Sequence, residues 1–254
     1  MSLLVCDSLA AQKKKSPLLP TTSPPKEYSI PLVADGWNLP ADKAEFFEKS
    51  GIRFMRLKAG NQGPVSPKNT SFTSGTIEFD FEPANPMTLG SSPTVYFRGN
   101  REANDVEIFY IRARPGNPRA NDAIQYCPIL AGVNMWDMYP QYQGHAFFEA
   151  DKPNHLKLIV NGSQMQVFLN DMNKPALHIP KLEGRGNGTS IAFDGGMLVS
   201  NLFIKPNIVE DLPAFAAPDL TEHDANYIRL WQQTSVSDLS IGNEVYTLNL
   251  PNQL

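Results

Sequence analysis

Between residues 30 and 206, apolar and polar residues alternate at period two through run after run. GTIEFDFEP is the clearest: Ile77, Phe79 and Phe81 fall on one face, and Glu78, Asp80 and Glu82 on the other. That is the pattern of a strand with one buried face. AEFFEKSGIRFMRLK admits a helix over Ala41 to Glu48, but a hairpin turning at Ser50-Gly51 fits better, because IRFMRLK alternates apolar and basic residues. In that hairpin Ile52, Phe54 and Leu57 are expected to point inward. HLKLIVNG and SQMQVFLN form a second hairpin signal, with the turn at Asn161-Gly162. KPALHIPKL has prolines near both ends and reads as an edge strand. SIAFD and LVSNLFI close the series around Gly195-Gly196, and Trp37 in IPLVADGWNLP is an early core anchor.

The densest part runs from Thr94 to Tyr139. TVYFRGN, DVEIFYIRARPGNPRANDAIQYCPIL and GVNMWDMYPQY are rich in Val, Ile, Phe and Tyr, separated by Gly, Pro, Asn and Asp. Arginines, aromatics and a glutamine are set inside these runs. On strands they either face solvent or line a site.

Many short strands with almost no helical period indicate an all-β, two-sheet sandwich. With 254 residues, 41% of them hydrophobic, the chain has enough apolar side chain for one large β domain. We read residues 1–29 as a head and proline-rich linker, or as the remnant of an export signal. Residues 30–206 are the sandwich. Residues 207–254 are an acidic connector and the start of a further β element, a short C-terminal extension.

Charge narrows the partners. The net charge of -4 provides no basic footprint for nucleic acid. No apolar run approaches the ~18 residues of a membrane helix. Of the two cysteines, Cys127 sits in an apolar strand and reads as a buried thiol, and Cys6 lies in the head. The four histidines, His145, His155, His178 and His223, show no metal-ligand spacing.

FTSGTIEFDFEP, VYFRGN, EIFYIRARPGNPRANDAIQYCPILAG with the following Trp136, and HLKLIVNGSQMQVFLND with PALHIPKL occur in an order that resembles the concanavalin A-like lectin and glucanase superfamily. Within it, the chain looks most like bacterial laminin-G-like and 3-keto-disaccharide-hydrolase-like domains. The likeness covers residues 30–206. One departure is His155-Leu156, where these domains often carry a Trp. The resemblance implies a jelly-roll sandwich, export to the periplasm or beyond the cell, and a carbohydrate ligand on the concave sheet. It also allows calcium held by loop carboxylates and carbonyls, for which Asn104, Asp105, Asp122, Asp151 and Asp194 are the candidates. Turn chemistry accounts for the same residues, so no metal ligand is assigned.

Two candidate sites follow. The first is the polar set Arg98, Tyr110, Arg112, Gln125, Trp136 and Tyr139. Aromatic rings stack on the apolar faces of sugars and fixed donors bond to hydroxyls. The competing reading pairs Arg112 with Glu107 or Asp122 and puts the aromatics in the core. The second is the acidic strand, with Glu78, Asp80 or Glu107 as acid and base of a glycoside hydrolase, whose retaining pair would lie ~5 Å apart. In laminarinase-type enzymes of the superfamily the acidic strand comes later in the chain. Here it directly follows SFTSG, and a solvated strand face gives the same pattern. The reading is therefore a carbohydrate-binding or carbohydrate-processing accessory domain, against a hydrolase of di- or oligosaccharides and against a structural laminin-G-like module.

Overall fold

The computed structural model describes residues 28–60, 62–117, 120–208, 212, 239–241 and 244–246. The chain divides into two compact units, Met1–Leu212 and Pro213–Leu254. Cys6 and His223 lie outside the described residues.

The first unit is an all-β sandwich, and among its described residues there is no α-helix. Its strands are β1 (Trp37–Asn38), β2 (Ala44–Lys49), β3 (Ile52–Leu57), β4 (Ser66–Pro67), β5 (Gly75–Pro83), β6 (Thr94–Asn100), β7 (Asp105–Ile111), β8 (Ile124–Leu130), β9 (Val133–Asn134), β10 (Gln143–Gly144), β11 (Asn154–Asn161), β12 (Gln164–Leu169), β13 (Leu177–Ile179), β14 (Ser190–Asp194) and β15 (Met197–Pro206). One sheet runs β13-β12-β11-β5-β15-β3-β2, and the other β10-β8-β7-β6-β14 with β9 paired to β8. All pairings are antiparallel. In the second unit, β16 (Leu239–Ile241) pairs with β17 (Glu244–Tyr246).

The alternation read in the sequence sets the inward faces. Ile77, Phe79 and Phe81 of β5 are buried beside Leu156, Leu158 and Val160 of β11. Facing them from the second sheet are Val95, Phe97, Phe109, Tyr126 and Phe193. The sheets meet edge-to-face at Phe79 and Phe193, 5.7 Å apart, and Trp37 closes on Phe193 at 5.9 Å. Leu177 and Ile179 of β13 bury into the same core at the sheet edge, as the flanking prolines require.

The turns have the chemistry the sequence carries. Ser50 and Gly51 both have positive φ, as a two-residue type I′ loop demands. In the β11–β12 hairpin the loop is Gly162-Ser163, one residue later than the expected Asn161-Gly162, because Asn161 still pairs with Gln164; Gly162 has the positive φ.

Strand β3 departs from the expected facing. Met55 and Leu57 are buried, whereas Ile52 is exposed and Phe54 lies on the outer side. Apolar residues occupy both parities of IRFMRL, so alternation alone cannot choose. Pairing decides: Met55 sits between Phe46 and Val199, Leu57 between Ala44 and Met197. The outward Phe54 stacks on Phe47 at 5.4 Å, with Arg56 over the Phe47 ring at 5.0 Å.

Candidate functional site

The dense stretch supplies three neighbouring strands, in the spatial order β8, β7, β6. Tyr110 pairs with Gln125 across β7 and β8, and Gln143 of β10 continues that row. Their side chains lie on the face opposite Phe109 and Tyr126, outside the core. Here the structure brings together four of the predicted residues, Tyr110, Arg112, Gln125 and Trp136.

Gln125 is the hub. Its Oε1 accepts the Tyr110 hydroxyl at 2.6 Å and an N–H of Arg112. Its Nε2 donates to the Trp136 carbonyl at 2.6 Å. Arg112 also donates to the Tyr110 oxygen at 3.3 Å. The guanidinium lies between two rings, 5.4 Å from the Tyr110 centroid and 5.7 Å from that of Trp136. Such contacts attract a cation through the ring quadrupole. Gln125 is fully buried, whereas Trp136 is 49% exposed. Gln125 therefore positions the other groups, and Trp136 is the part of the cluster most open to solvent. Burial pushes the Tyr110 hydroxyl up to about 12, Arg112 opposing it, so it stays protonated at neutral pH.

The loop bearing Trp136 is tied down at both sides. The Ala131-Gly132 turn, with positive φ at both residues, carries the chain into β9. Asn134 Oδ1 then accepts the Trp136 N–H at 3.1 Å and the Cys127 thiol at 3.2 Å. Met135 N–H donates to the Pro128 carbonyl at 3.1 Å. Burial pushes the Cys127 thiol up to about 12, so it is an inert, fully buried group. Val133 and Met138 flank Trp136 with large exposed areas.

Asp122 completes the rim. Its carboxylate is 4.0 Å from Arg112 Nε and 3.4 Å from Arg114 Nη2. Of the two carboxylates that the sequence offers to Arg112, Asp122 is the partner. The other, Glu107, lies on the inner face of β7. There it accepts from Tyr126 Oη at 2.5 Å, and burial raises its pKa.

Arg98 and Tyr139 do not join the cluster. A bulge between Phe97 and Asn100 gives Arg98 a positive φ, and its side chain turns to the carbonyls of Thr73 and Gly162. It is 9% exposed and ties the sheets together. Tyr139 stacks on Tyr142, with ring centroids 5.9 Å apart, and packs against the core.

The acidic strand has a partner that the sequence did not reveal. His155 lies opposite Asp80 across β11 and β5. Its Nδ1 bonds to Asp80 Oδ1 at 2.6 Å and its Nε2 to Glu78 Oε1 at 2.9 Å. Asn201 Nδ2 donates to Asp80 Oδ2 at 2.6 Å. Burial disfavours the charged imidazole, but bonds to both carboxylates outweigh it and lift the pKa to about 9. Both ring nitrogens therefore carry protons at neutral pH. This cluster is on the outer face of the seven-stranded sheet, whereas Trp136 belongs to the six-stranded sheet.

Among the described residues no three His, Cys, Asp or Glu side chains are grouped to hold a metal ion. Asp105 pairs with Arg185, Asp194 with Lys43 and Asp151 with Asn85. No helix among the described residues is long and apolar enough to cross a membrane.

No family model and no curated protein matches the chain. Solved structures do. The chain is similar to the carbohydrate-binding module CBM66 from Bacillus subtilis, at 14% identity, covering 67% of this chain and 92% of that one, with a TM-score of 0.42. It is similar to the Caenorhabditis elegans galectin LEC-6, at 17% identity over 66% of this chain and 99% of that one, with a TM-score of 0.39. A Bacillus subtilis protein of unknown function with a galectin-like fold is 14% identical over 70% of this chain and 93% of that one, with a TM-score of 0.46. The likeness concerns the fold alone.

Proposed function

We propose that the outer face of the six-stranded sheet binds a glycan at Trp136 and Arg112. The observation that carries this reading is the guanidinium held between two rings. Arg112 lies between Tyr110 and Trp136, is fixed by Gln125, and leaves half of Trp136 exposed. The indole offers a flat apolar surface to the C–H face of a pyranose. Arg112 and Arg114 offer donors to the hydroxyls beside it, and Asp122 offers an acceptor. Few of these groups must move to meet a ligand, which lowers the ordering cost of binding.

The acidic residues of the hydrolase alternative have other work. Glu78 and Asp80 bond to one imidazole on the other sheet, and Glu107 faces the interior. None of them adjoins Trp136. The same reading takes the protein as exported, periplasmic or extracellular, where polysaccharide is met.

Trp136→Ala is expected to weaken binding of the best oligosaccharide from a glycan array by about tenfold, the ~1.4 kcal/mol of one lost stacking surface. Its melting temperature should stay near that of the wild type, because the indole is half exposed. Titration calorimetry and thermal unfolding read the two effects. A variant that binds as tightly as the wild type removes Trp136 from the site.

A further inference from the structure

The other end of the same sheet face carries a pocket of about 390 Å³. Tyr96, Val106 and Ile129 line its floor, with Ala192 of β14 beside them. Val106 lies four residues from Tyr110 on β7, which sets the pocket ~13 Å from the Trp136 cluster along the strand. An oligosaccharide can span that interval. The volume suits one sugar ring, at the lower end of ligand pockets, which begin at ~300 Å³.

The pocket has an apolar floor and one unneutralised charge. Arg101 lines it, is exposed, and has no carboxylate partner among the described residues. The turn that carries it is preformed: Asn100 Oδ1 accepts the N–H groups of Glu102 at 3.0 Å and Ala103 at 3.2 Å. Gly132 N–H donates to the Asn104 carbonyl at 2.8 Å and ties this turn to the Trp136 loop. Asp105 also borders the pocket, but its carboxylate is taken up. Arg185 donates to one oxygen at 2.9 Å and the Ala131 N–H to the other at 2.7 Å. Glu102 does not line the pocket. The Tyr96 hydroxyl lies within electrostatic reach of the Asp194 carboxylate, which is itself paired with Lys43 at 2.6 Å. Burial first, and the Asp194 charge after it, push its pKa up to about 12, so it is a donor at neutral pH.

We propose that this pocket is a second subsite that takes a carboxylate-bearing sugar residue, its ring on the Tyr96, Val106 and Ile129 floor and its carboxylate on Arg101. The inference rests on the glycan reading above and gives that glycan an acidic residue. Guanidinium and carboxylate match in planar, charge-assisted geometry, whereas a neutral sugar leaves Arg101 without a counter-charge.

The test titrates ¹⁵N-labelled full-length protein with glucuronate and, separately, with glucose. Glucuronate is expected to shift the amides of Tyr96, Val106, Ile129 and Ala192. Arg101→Gln should weaken that binding by about threefold to tenfold, the range of one charge-assisted bond at an open site. It should leave any glucose response at the Trp136 loop unchanged. If glucose moves the Trp136 loop and glucuronate leaves the pocket amides in place, the second subsite is overturned and the Trp136 site stands. If glucuronate moves the pocket and neither sugar moves the Trp136 loop, the Trp136 site fails and the pocket stands. Equal glucuronate affinity in the wild type and Arg101→Gln also overturns the inference.

Discussion

Gln125→Ala is expected to lose about 3–5 kcal/mol of stability, as a buried group that satisfies several others does when removed. Glycan binding should fall by more than about tenfold in the same variant, because each lost ~1.4 kcal/mol of binding is a factor of ten. The side chain is fully buried and leaves its three closest partners behind: the Tyr110 hydroxyl, an N–H of Arg112 and the Trp136 carbonyl. One of them is charged. Its hydrogen bond is worth ~1.5–3 kcal/mol, and the other two add desolvation costs of their own. Gln125→Glu separates the two duties. A carboxylate still accepts from Tyr110 and Arg112, but it sets an oxygen against the Trp136 carbonyl where an amide stood at 2.6 Å. That variant should keep most of its stability and lose glycan affinity, because the Trp136 loop is released. Urea denaturation and glycan titration give both numbers. Wild-type affinity in Gln125→Glu would show that this bond does not position the indole.

The second large effect is a pH dependence. His155 is bonded to both carboxylates of the acidic strand and its pKa is raised to about 9. A histidine with a raised pKa binds its proton more tightly in the folded state than in the unfolded chain, where the value is ~6.5. Its contribution is fully present below that unfolded value and disappears as the pH rises through 9. The side chain is 22% exposed, so screening reduces the full linkage value, and about 2 kcal/mol should be lost between pH 6.5 and 9. His155→Gln, which cannot titrate, should remove this part of the slope. Denaturation curves of wild type and variant at the two pH values provide the comparison. Parallel changes in both proteins would mean that the cluster does not hold its proton in the way described.

What the sequence made legible was decided by strand parity. GTIEFDFEP has apolar residues on one parity only, and its inward face follows directly. In IRFMRL both parities are apolar, and the neighbours of β3 made the choice. The candidate site residues divide in the same way. Tyr110 and Arg112 keep their alternation from β7, and Gln125 lies opposite Tyr110 in register, so the cluster could be anticipated from two strands and a following Trp. Arg98 broke the rule because a bulge with a left-handed residue turns the side chain off its expected face. Tyr139 precedes a short 3-10 turn, Pro140–Tyr142, to which parity does not apply. His155 could not be connected to Glu78 and Asp80 by pattern, because the contact depends on the pairing of strands some 75 residues apart. Asp122 and Asn134 are ordinary loop residues in the sequence, and only the folded loops give them roles as rim carboxylate and anchor of the Trp136 segment.

The most direct test of the glycan site reads the Trp136 indole itself. The ¹H–¹⁵N indole signals are followed while the array's best oligosaccharide is added, with Trp136→Phe used to assign the signal. The Trp136 signal should move saturably, with a midpoint equal to the calorimetric dissociation constant, while the signal of the buried Trp37 stays in place. An unmoved Trp136 signal under conditions where calorimetry records binding would contradict the account.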